Sequence, residues 1–326
     1  LSIITGTNNQ IITIATEMIC SGKIVAIPTE TVYGLAGDIS NDYSIKQIFE
    51  LKNRPINHPL IIHISSIEEL YSYAVNVPEY VNQLANRFWP GPLTFILKKS
   101  DKVSSLVTGG QNTVAIRMPN HKLTLDLIKS VGHPLAAPSA NRFGNVSPTR
   151  AEHVIDEFNG MVKVMDGGIC EIGIESTIID ATSDDYYKIL RPGRINENSI
   201  NKALNNKFKN MPPINQGSQK INFPGNCLKH YSPVKSLIAF NNYDDISYLN
   251  TRYKDIYIIH YSDLLIYSNK PSYKLDSNPN KFAKDLYHAL RLADKSTCEV
   301  IAIEMPPKKV KWHAILDRLG RSVSKI

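Results

Sequence analysis

Along the chain the spacing of apolar residues changes period repeatedly, and the changes lay out alternating helices and strands. Over residues 10–20, Ile11, Ile12, Ile14, Ala15, Met18 and Ile19 share one helical face, and Gly22 is a natural stop. Residues 24–27 read as a buried strand. Asn41 or Asp42 can cap a second helix carrying Ile45, Ile48, Phe49 and Lys52, which Pro55 ends. The alternation predicts strands at 60–64, 93–97, 113–118 and 135–137, with helices at 79–88 and after His121. Short strands at 162–165, 176–180 and 187–190 carry the pattern to about Arg194. Residues 28–38, PTETVYGLAGD, follow the first strand and show no period that assigns them a regular element.

Near residue 196 the pattern stops. Asn, Lys, Pro, Gly and Gln dominate as far as about Pro233, and MPPINQGSQK shows no periodicity, so residues 196–235 read as a linker. A second α/β pattern follows: strands at 237–240, 256–259 and 300–303, a helix opened by Asn278 and Pro279 with Phe282, Leu286, Leu290 and Ala293 on one face, and a final helix. The predicted organisation is a sheet-and-helix domain at 1–195, a linker at 196–235 and a smaller α/β domain at 236–326.

Composition narrows the function classes. At 326 residues the chain fits two domains better than one core. Lys and Arg number 37 against 30 Asp and Glu, and the net charge of +7 favours an anionic partner such as nucleotide or RNA, or is a basic solvated surface. Cys20, Cys170, Cys227 and Cys298 form no CxxC pair, which argues against zinc and disulfide frameworks and predicts buried thiols. No apolar run is long enough to span a bilayer, and the stretch from Leu1 lacks the order of a signal peptide. The expected location is therefore the cytoplasm.

Neither GxxxxGK[ST] nor GxGxxG occurs, so phosphate would have to be held by other means. LKNRP offers Lys52 and Arg54 as two cations able to reach different phosphate oxygens, or simply a basic helix end. PLAAPSANRFGNVSPT runs a buried strand into Ser139, Asn141 and Ser147, at the kind of strand end where ligands sit, or forms an ordinary polar turn. Arg117 ends the apolar strand TVAIRMP, where it needs either a carboxylate ligand or an internal Asp or Glu. GIESTIID and ILRPGRI repeat this arrangement with Ser176, Thr177 and Arg191. His63, flanked by isoleucines, has the setting of a core residue, and His58 stands at no recognised zinc spacing. FPGNCLKHYSP places His230 and Tyr231 before Pro233 in a constrained segment that suits either a lid or a packed turn.

Taken in order, PTETVYGL, KNRP, HPLIIHI, WPGPLTFIL, TVAIRMP, PLAAPSANRFGNVSPT, ESTIID and ILRPG closely resemble the YrdC-like family of threonylcarbamoyl-AMP synthases. The PGxxxxHYSP linker and the α/β domain after it resemble the longer, two-domain (Sua-type) members. The resemblance implies a twisted mixed sheet flanked by helices, a linker, and a smaller Rossmann-like domain. It also implies condensation of L-threonine, bicarbonate and ATP into threonylcarbamoyl-AMP and pyrophosphate, with Mg2+ carried by ATP and no metal held by protein side chains alone. The product would serve threonylcarbamoyl modification of adenosine beside the tRNA anticodon, with tRNA and transferase proteins as possible partners.

By the same resemblance, Lys52, Arg54, His58, Thr113, Ser139, Asn141, Ser147, Arg191 and Tyr231 would hold ATP, with Lys52 and Arg54 central to catalysis. Thr31, His63, Arg117, Ser176 and the backbone of Ala137 would hold threonine, while Gly34 and Gly37 would let the chain turn close to it. The sequence departs from the family at Ala36 and Asn53, where glycine is usual. Two other readings compete: an RNA-binding module, suggested by net charge and PPKKVKWH, and a carbamoyl-transfer domain of the hydrogenase-maturation type. The latter normally sits in a larger chain with cysteine pairs.

Overall fold

The computed structural model describes residues 2–211, 221–226, 230–263 and 270–324. The first sheet contains, in chain order, β1 (Val25–Ile27), β2 (Gly34–Asp38), β3 (Ile61–His63), β4 (Ala74–Val75), β5 (Leu93–Lys99), β6 (Thr113–Arg117), β7 (Leu135–Ala136), β8 (Lys163–Val164), β9 (Thr177–Asp180), β10 (Tyr186–Arg191) and β11 (Lys209–Asn210). Their spatial order is β11-β10-β9-β5-β6-β3-β7-β2-β1-β8, with β4 on β5. Parallel pairs (β3 with β6, β5 with β9) and antiparallel pairs (β5 with β6, β3 with β7) alternate, which makes the sheet mixed.

The alternation of side chains along each strand decides which face does what. One face buries Ile62, Phe95, Leu97, Ile116 and Ile179 against helices that include Asp42–Lys52 and Glu79–Phe88. On the other face, helices Asn8–Cys20 and Lys122–Val131 cover one end, packing Ile11, Ile19, Leu127 and Ile128 on β1 and β7. Ile61, Ile96, Ala115 and Ile178 on that face are instead covered by Phe223, from the segment that follows β11. The interval between helices and Phe223 is where the site lies.

GLAGD, to which the apolar spacing assigns no element, is a strand. It is β2, paired antiparallel with β1 and with β7. Its glycines serve close packing: a Cβ on Gly34 would lie 3.1 Å from Ala137 Cβ, and one on Gly37 3.1 Å from Ile48 Cδ1. Asn53 takes a left-handed φ of 50° at the end of its helix, a conformation asparagine tolerates better than most residues, which accounts for its standing where glycine is usual.

The linker starts later than its composition suggests. Asn196 caps a helix at Glu197–Ala203, and β11 pairs parallel with β10. Only Ile200 and Leu204 of this stretch are buried, too few apolar residues to produce a visible period, and Tyr187 Oη anchors the helix by donating to Asn201 Oδ1 at 2.6 Å. Most of MPPINQGSQK and residues 227–229, with Cys227, lie outside the described residues. Of the other cysteines, Cys170 and Cys298 are buried as expected but Cys20 is exposed, because it ends the first helix on the solvent side.

The second sheet is parallel throughout: β12 (Leu237–Phe240), β15 (Val300–Glu304), β13 (Ile256–His260) and β14 (Ser272–Lys274), in that order. Helix Tyr243–Arg252 lies on one face, and helices Pro279–Lys295 and His313–Ser322 on the other. Val32, Val146, Ile174 and Tyr231 enter the same apolar cluster as Leu286, Tyr287 and Leu319, so the core on that side is shared between the two units. No helix among the described residues is long and apolar enough to cross a membrane.

Candidate active site

His63 and Arg117 are register partners at the ends of the parallel strands β3 and β6, which sets an imidazole beside a guanidinium. Both are buried, at 2% and 4% exposure, so each needs its polar atoms accounted for. Arg117 Nε donates to Gly91 O at 3.2 Å, Nη1 donates to Thr31 Oγ1 at 2.9 Å, and Nη2 lies 2.7 Å from Glu30 Oε2. Of the two partners the sequence left open for Arg117, the internal carboxylate is therefore present. His63 is held neutral, its pKa pushed down to about 3 by burial and then by Arg117, and its Nδ1 has no partner.

Thr31 is fixed by the turn that carries it. Thr29 Oγ1 donates to Val32 O at 2.6 Å and must accept from Thr31 Oγ1, 2.9 Å away, so the Thr31 hydroxyl offers its lone pairs to Arg117. Opposite, Arg191 Nε and Nη2 donate to Ser176 O and Oγ at 3.0 and 3.1 Å, and Nη1 donates to Pro224 O at 3.0 Å. Ser176 Oγ also bonds Thr94 Oγ1 at 2.7 Å.

Arg54 comes from the other side, its Nη2 donating to Pro59 O at 2.8 Å and its guanidinium 5.6 Å from the centre of the Phe143 ring. Thr31, Arg54, His63, Arg117, Ser176 and Arg191, with Ala137, Ser139, Glu175 and Tyr231, line one cavity of about 50 Å3. Its walls include Pro224, Gly225 and His230 of the linker. The cavity crosses the face of the sheet, from Ile61 and His63 on β3 to Gly34, and is not confined to strand ends.

Nine of the fourteen sequence-derived positions line this cavity: Thr31, Arg54, His63, Arg117, Ala137, Ser139, Ser176, Arg191 and Tyr231. Five do not. Lys52 is buried behind it, Nζ donating to the carbonyls of Ser139 and Asn141, and burial followed by the Arg54 charge drives its pKa well down. His58 stands edge-on to Phe143 at 5.2 Å. Asn141 braces its loop by donating to Arg142 O and Asn145 O at 2.7 and 2.9 Å, leaving a buried Oδ1 without a partner. Ser147 Oγ is fully buried and donates to Glu175 Oε1 at 2.6 Å. Thr113 opens β6, paired with Lys98 and half-buried, away from the cavity.

Two family models match in tandem, one described as "Telomere recombination" over residues 17–193, the other as the C-terminal domain of threonylcarbamoyl-AMP synthase over residues 195–324. Threonylcarbamoyl-AMP synthase of Pyrococcus abyssi is 38% identical over 321 residues, covering 95% of this chain and 93% of the relative. That of Bacillus subtilis is 37% identical, covering 97% and 94%. The chain belongs to the threonylcarbamoyl-AMP synthase family. A crystal structure of Sua5 from P. abyssi in complex with L-threonine superimposes with a TM-score of 0.86 at 35% identity, over 98% of this chain and 97% of that one.

Within this synthase-family frame the residues that sequence reasoning passed over are carboxylates and their partners. Glu30 sits in PTETVYGL and Glu175 in GIESTIID, each beside a residue that was singled out. Their signal was the unpaired arginines, which required acids somewhere. Burial opposes ionisation of Glu175, but Arg318, then Arg191 and the Ser147 bond, outweigh it and hold its pKa at about 2. Tyr287 Oη and Arg318 Nε donate to its other oxygen at 3.0 and 2.9 Å. The stretch AILDRLGRS near the end of the chain thus reaches the site from the second unit.

Proposed function

We propose that the chain makes threonylcarbamoyl-AMP in this cavity from L-threonine, bicarbonate and ATP, releasing pyrophosphate. The observation that carries the reading is that one cavity is lined by two sets of groups, each suited to one of the two larger substrates. One set holds Arg117, Thr31 and the unpartnered His63 Nδ1, and suits a small amino acid. The other holds Arg54, Arg191 and Tyr231, and suits a phosphorylated nucleotide. The threonine amine adds to bicarbonate with loss of water, giving a carbamate. A carbamate oxygen then attacks the α-phosphorus, and the bond to pyrophosphate breaks with its electron pair leaving on pyrophosphate. No covalent enzyme intermediate is needed, so catalysis is positioning plus stabilisation of phosphate charge.

Lys52 acts from behind the cavity wall, holding the Ser139 and Asn141 carbonyls so that their loop keeps its shape. His58, Thr113, Asn141 and Ser147 are assigned to the nucleotide side, and Ser176 and the Ala137 backbone to the threonine side. Magnesium enters on the ATP phosphates. The one carboxylate in the wall, Glu175, is already taken by Ser147, Tyr287 and Arg318. A cavity of about 50 Å3 is far below the roughly 300–1,000 Å3 of small-molecule sites. Tyr231 and the Pro224–Gly225 turn therefore shift when ATP enters. The product is passed in the cytoplasm to proteins that modify the adenosine beside the tRNA anticodon.

The test is incubation with 13C-bicarbonate, threonine and Mg-ATP, followed by mass spectrometry. A labelled adenylate whose mass contains threonine supports the reading, and an unlabelled nucleotide product rejects it. No observation favours the RNA-binding alternative: in PPKKVKWH, Trp312 is a core residue packed at 5.2 Å on Phe282.

A further inference from the structure

Among the described residues Arg318 is the largest fully buried side chain, at 1% exposure, and it stands on the last helix, His313–Ser322, of the second unit. Among the described residues of its own unit, the guanidinium hydrogen-bonds only Asp317 beside it, 2.9 Å from Nη1. Its other hydrogen bonds all reach into the first unit. Nε donates to Glu175 Oε2 at 2.9 Å, Nη2 to Glu175 O at 3.3 Å, and Nη1 to Pro192 O at 2.8 Å. Its guanidinium carbon lies 5.2 Å from the centre of the Tyr231 ring, which is stacked on Tyr287 at 6.0 Å. Glu175 and Tyr231 both line the cavity, and Arg318 touches both.

We propose that Arg318 is a positioning residue for the nucleotide set of the site, acting through Glu175 and Tyr231. This rests on the assignment of Tyr231 and Arg54 to ATP. Glu175 is an anion in the wall of a site meant for a polyanion, and Arg318 pairs with that charge at 2.9 Å. The same guanidinium fixes the Tyr231 ring, whose residue holds a left-handed φ of 61°. Neither contact touches Thr31, His63 or Arg117. The second unit is thereby part of the active site's charge balance and not only its scaffold.

The experiment measures binding of threonine and of Mg-ATP by calorimetry, each alone, to the full chain and to Arg318→Gln, Arg318→Lys, Glu175→Gln with Arg318→Gln, Arg54→Ala and Tyr231→Ala. An uncompensated charge near a triphosphate predicts ATP binding weaker by about tenfold or more in Arg318→Gln, with threonine affinity within about twofold. Adding Glu175→Gln to Arg318→Gln removes that charge and recovers most of the loss. Arg318→Lys keeps the charge and falls between wild type and Arg318→Gln, which keeps the test alive if Arg318→Gln does not fold. Equal losses for both ligands, or no recovery in the double variant, overturn the inference. If Arg54→Ala and Tyr231→Ala weaken ATP and the Arg318 variants do not, the inference alone fails. If Arg54→Ala and Tyr231→Ala leave ATP binding intact, the nucleotide-side assignment fails and takes the inference with it.

Discussion

Replacing Thr31 by Val isolates one atom of the proposed threonine set. Valine has nearly the shape of threonine, and the site is fully buried, so the change swaps a hydroxyl for a methyl with no cavity. It removes the acceptor 2.9 Å from Arg117 Nη1, and it leaves Thr29 Oγ1 without its donor. A bond from a charged group is worth roughly 1.5–3 kcal/mol, and Arg117 keeps its Glu30 and Gly91 contacts, so the guanidinium tilts and stays in place. If that energy appears in threonine binding, the KM for threonine rises roughly 10- to 150-fold. The KM for ATP changes less than about threefold, because Arg54 and Arg191 are anchored on Pro59, Ser176 and Pro224. Initial rates of pyrophosphate release, with each substrate varied at saturating levels of the others, give both constants. An equal rise in both, or no rise in either, refutes the chain of reasoning from Thr31 through Arg117 to threonine.

Three further outcomes follow from the same geometry. Gly225 has φ of 92°, and a Cβ there would lie 2.5 Å from Tyr231 Oη, so Gly225→Ala should raise the KM for ATP roughly fivefold or more while threonine binding is kept. Burial, as the leading cause, lowers the folded pKa of His63 and His230 to about 3 and of His153 to about 2, so the unfolded chain takes up protons first. Stability contributed by these groups is intact above about pH 6.5 and is lost as pH falls toward 3, whereas the depressed Glu175 acts only below its ordinary value near 4.5. Melting midpoints measured between pH 8 and 5 should therefore begin to drop near pH 6, and a flat profile down to pH 5 would contradict the neutral buried histidines. Finally, Asn53→Val places a β-branched residue at φ 50° and should lower Tm by roughly 3 °C, while Asn53→Gly should match or exceed the wild type.

The regular elements were legible because their apolar residues repeat with a clear period. Helix Glu79–Phe88 and the strand starts at Leu93 and Thr113 fall where the pattern places them. GLAGD was not legible as a strand, since two glycines in five residues imitate a turn. What decides its conformation is the lack of room for a Cβ against Ala137 and Ile48, a fact of tertiary packing. The helix at Glu197–Ala203 was hidden for the opposite reason: its polar residues face solvent and a single buried isoleucine cannot show a period.

At the site, arginines and hydroxyls at strand ends announced themselves one by one. The acids that hold them did not, because pairing between residues far apart in the chain, as between Glu30 and Arg117 or between Glu175 and Arg318, leaves no trace in local spacing. The physical rule that a buried cation needs a partner raised the question correctly for Arg117 and left its answer to the fold. Lys52 shows the converse. Its place beside Arg54 suggested phosphate, yet its ammonium is spent on two carbonyls that shape the loop.

The proposed joining of threonine, bicarbonate and ATP in one cavity is tested by pyrophosphate release by the purified chain with Mg-ATP, adding threonine and bicarbonate singly and together. Release that requires both is the predicted result. Release with ATP alone at the same rate, or none under any combination, would contradict it.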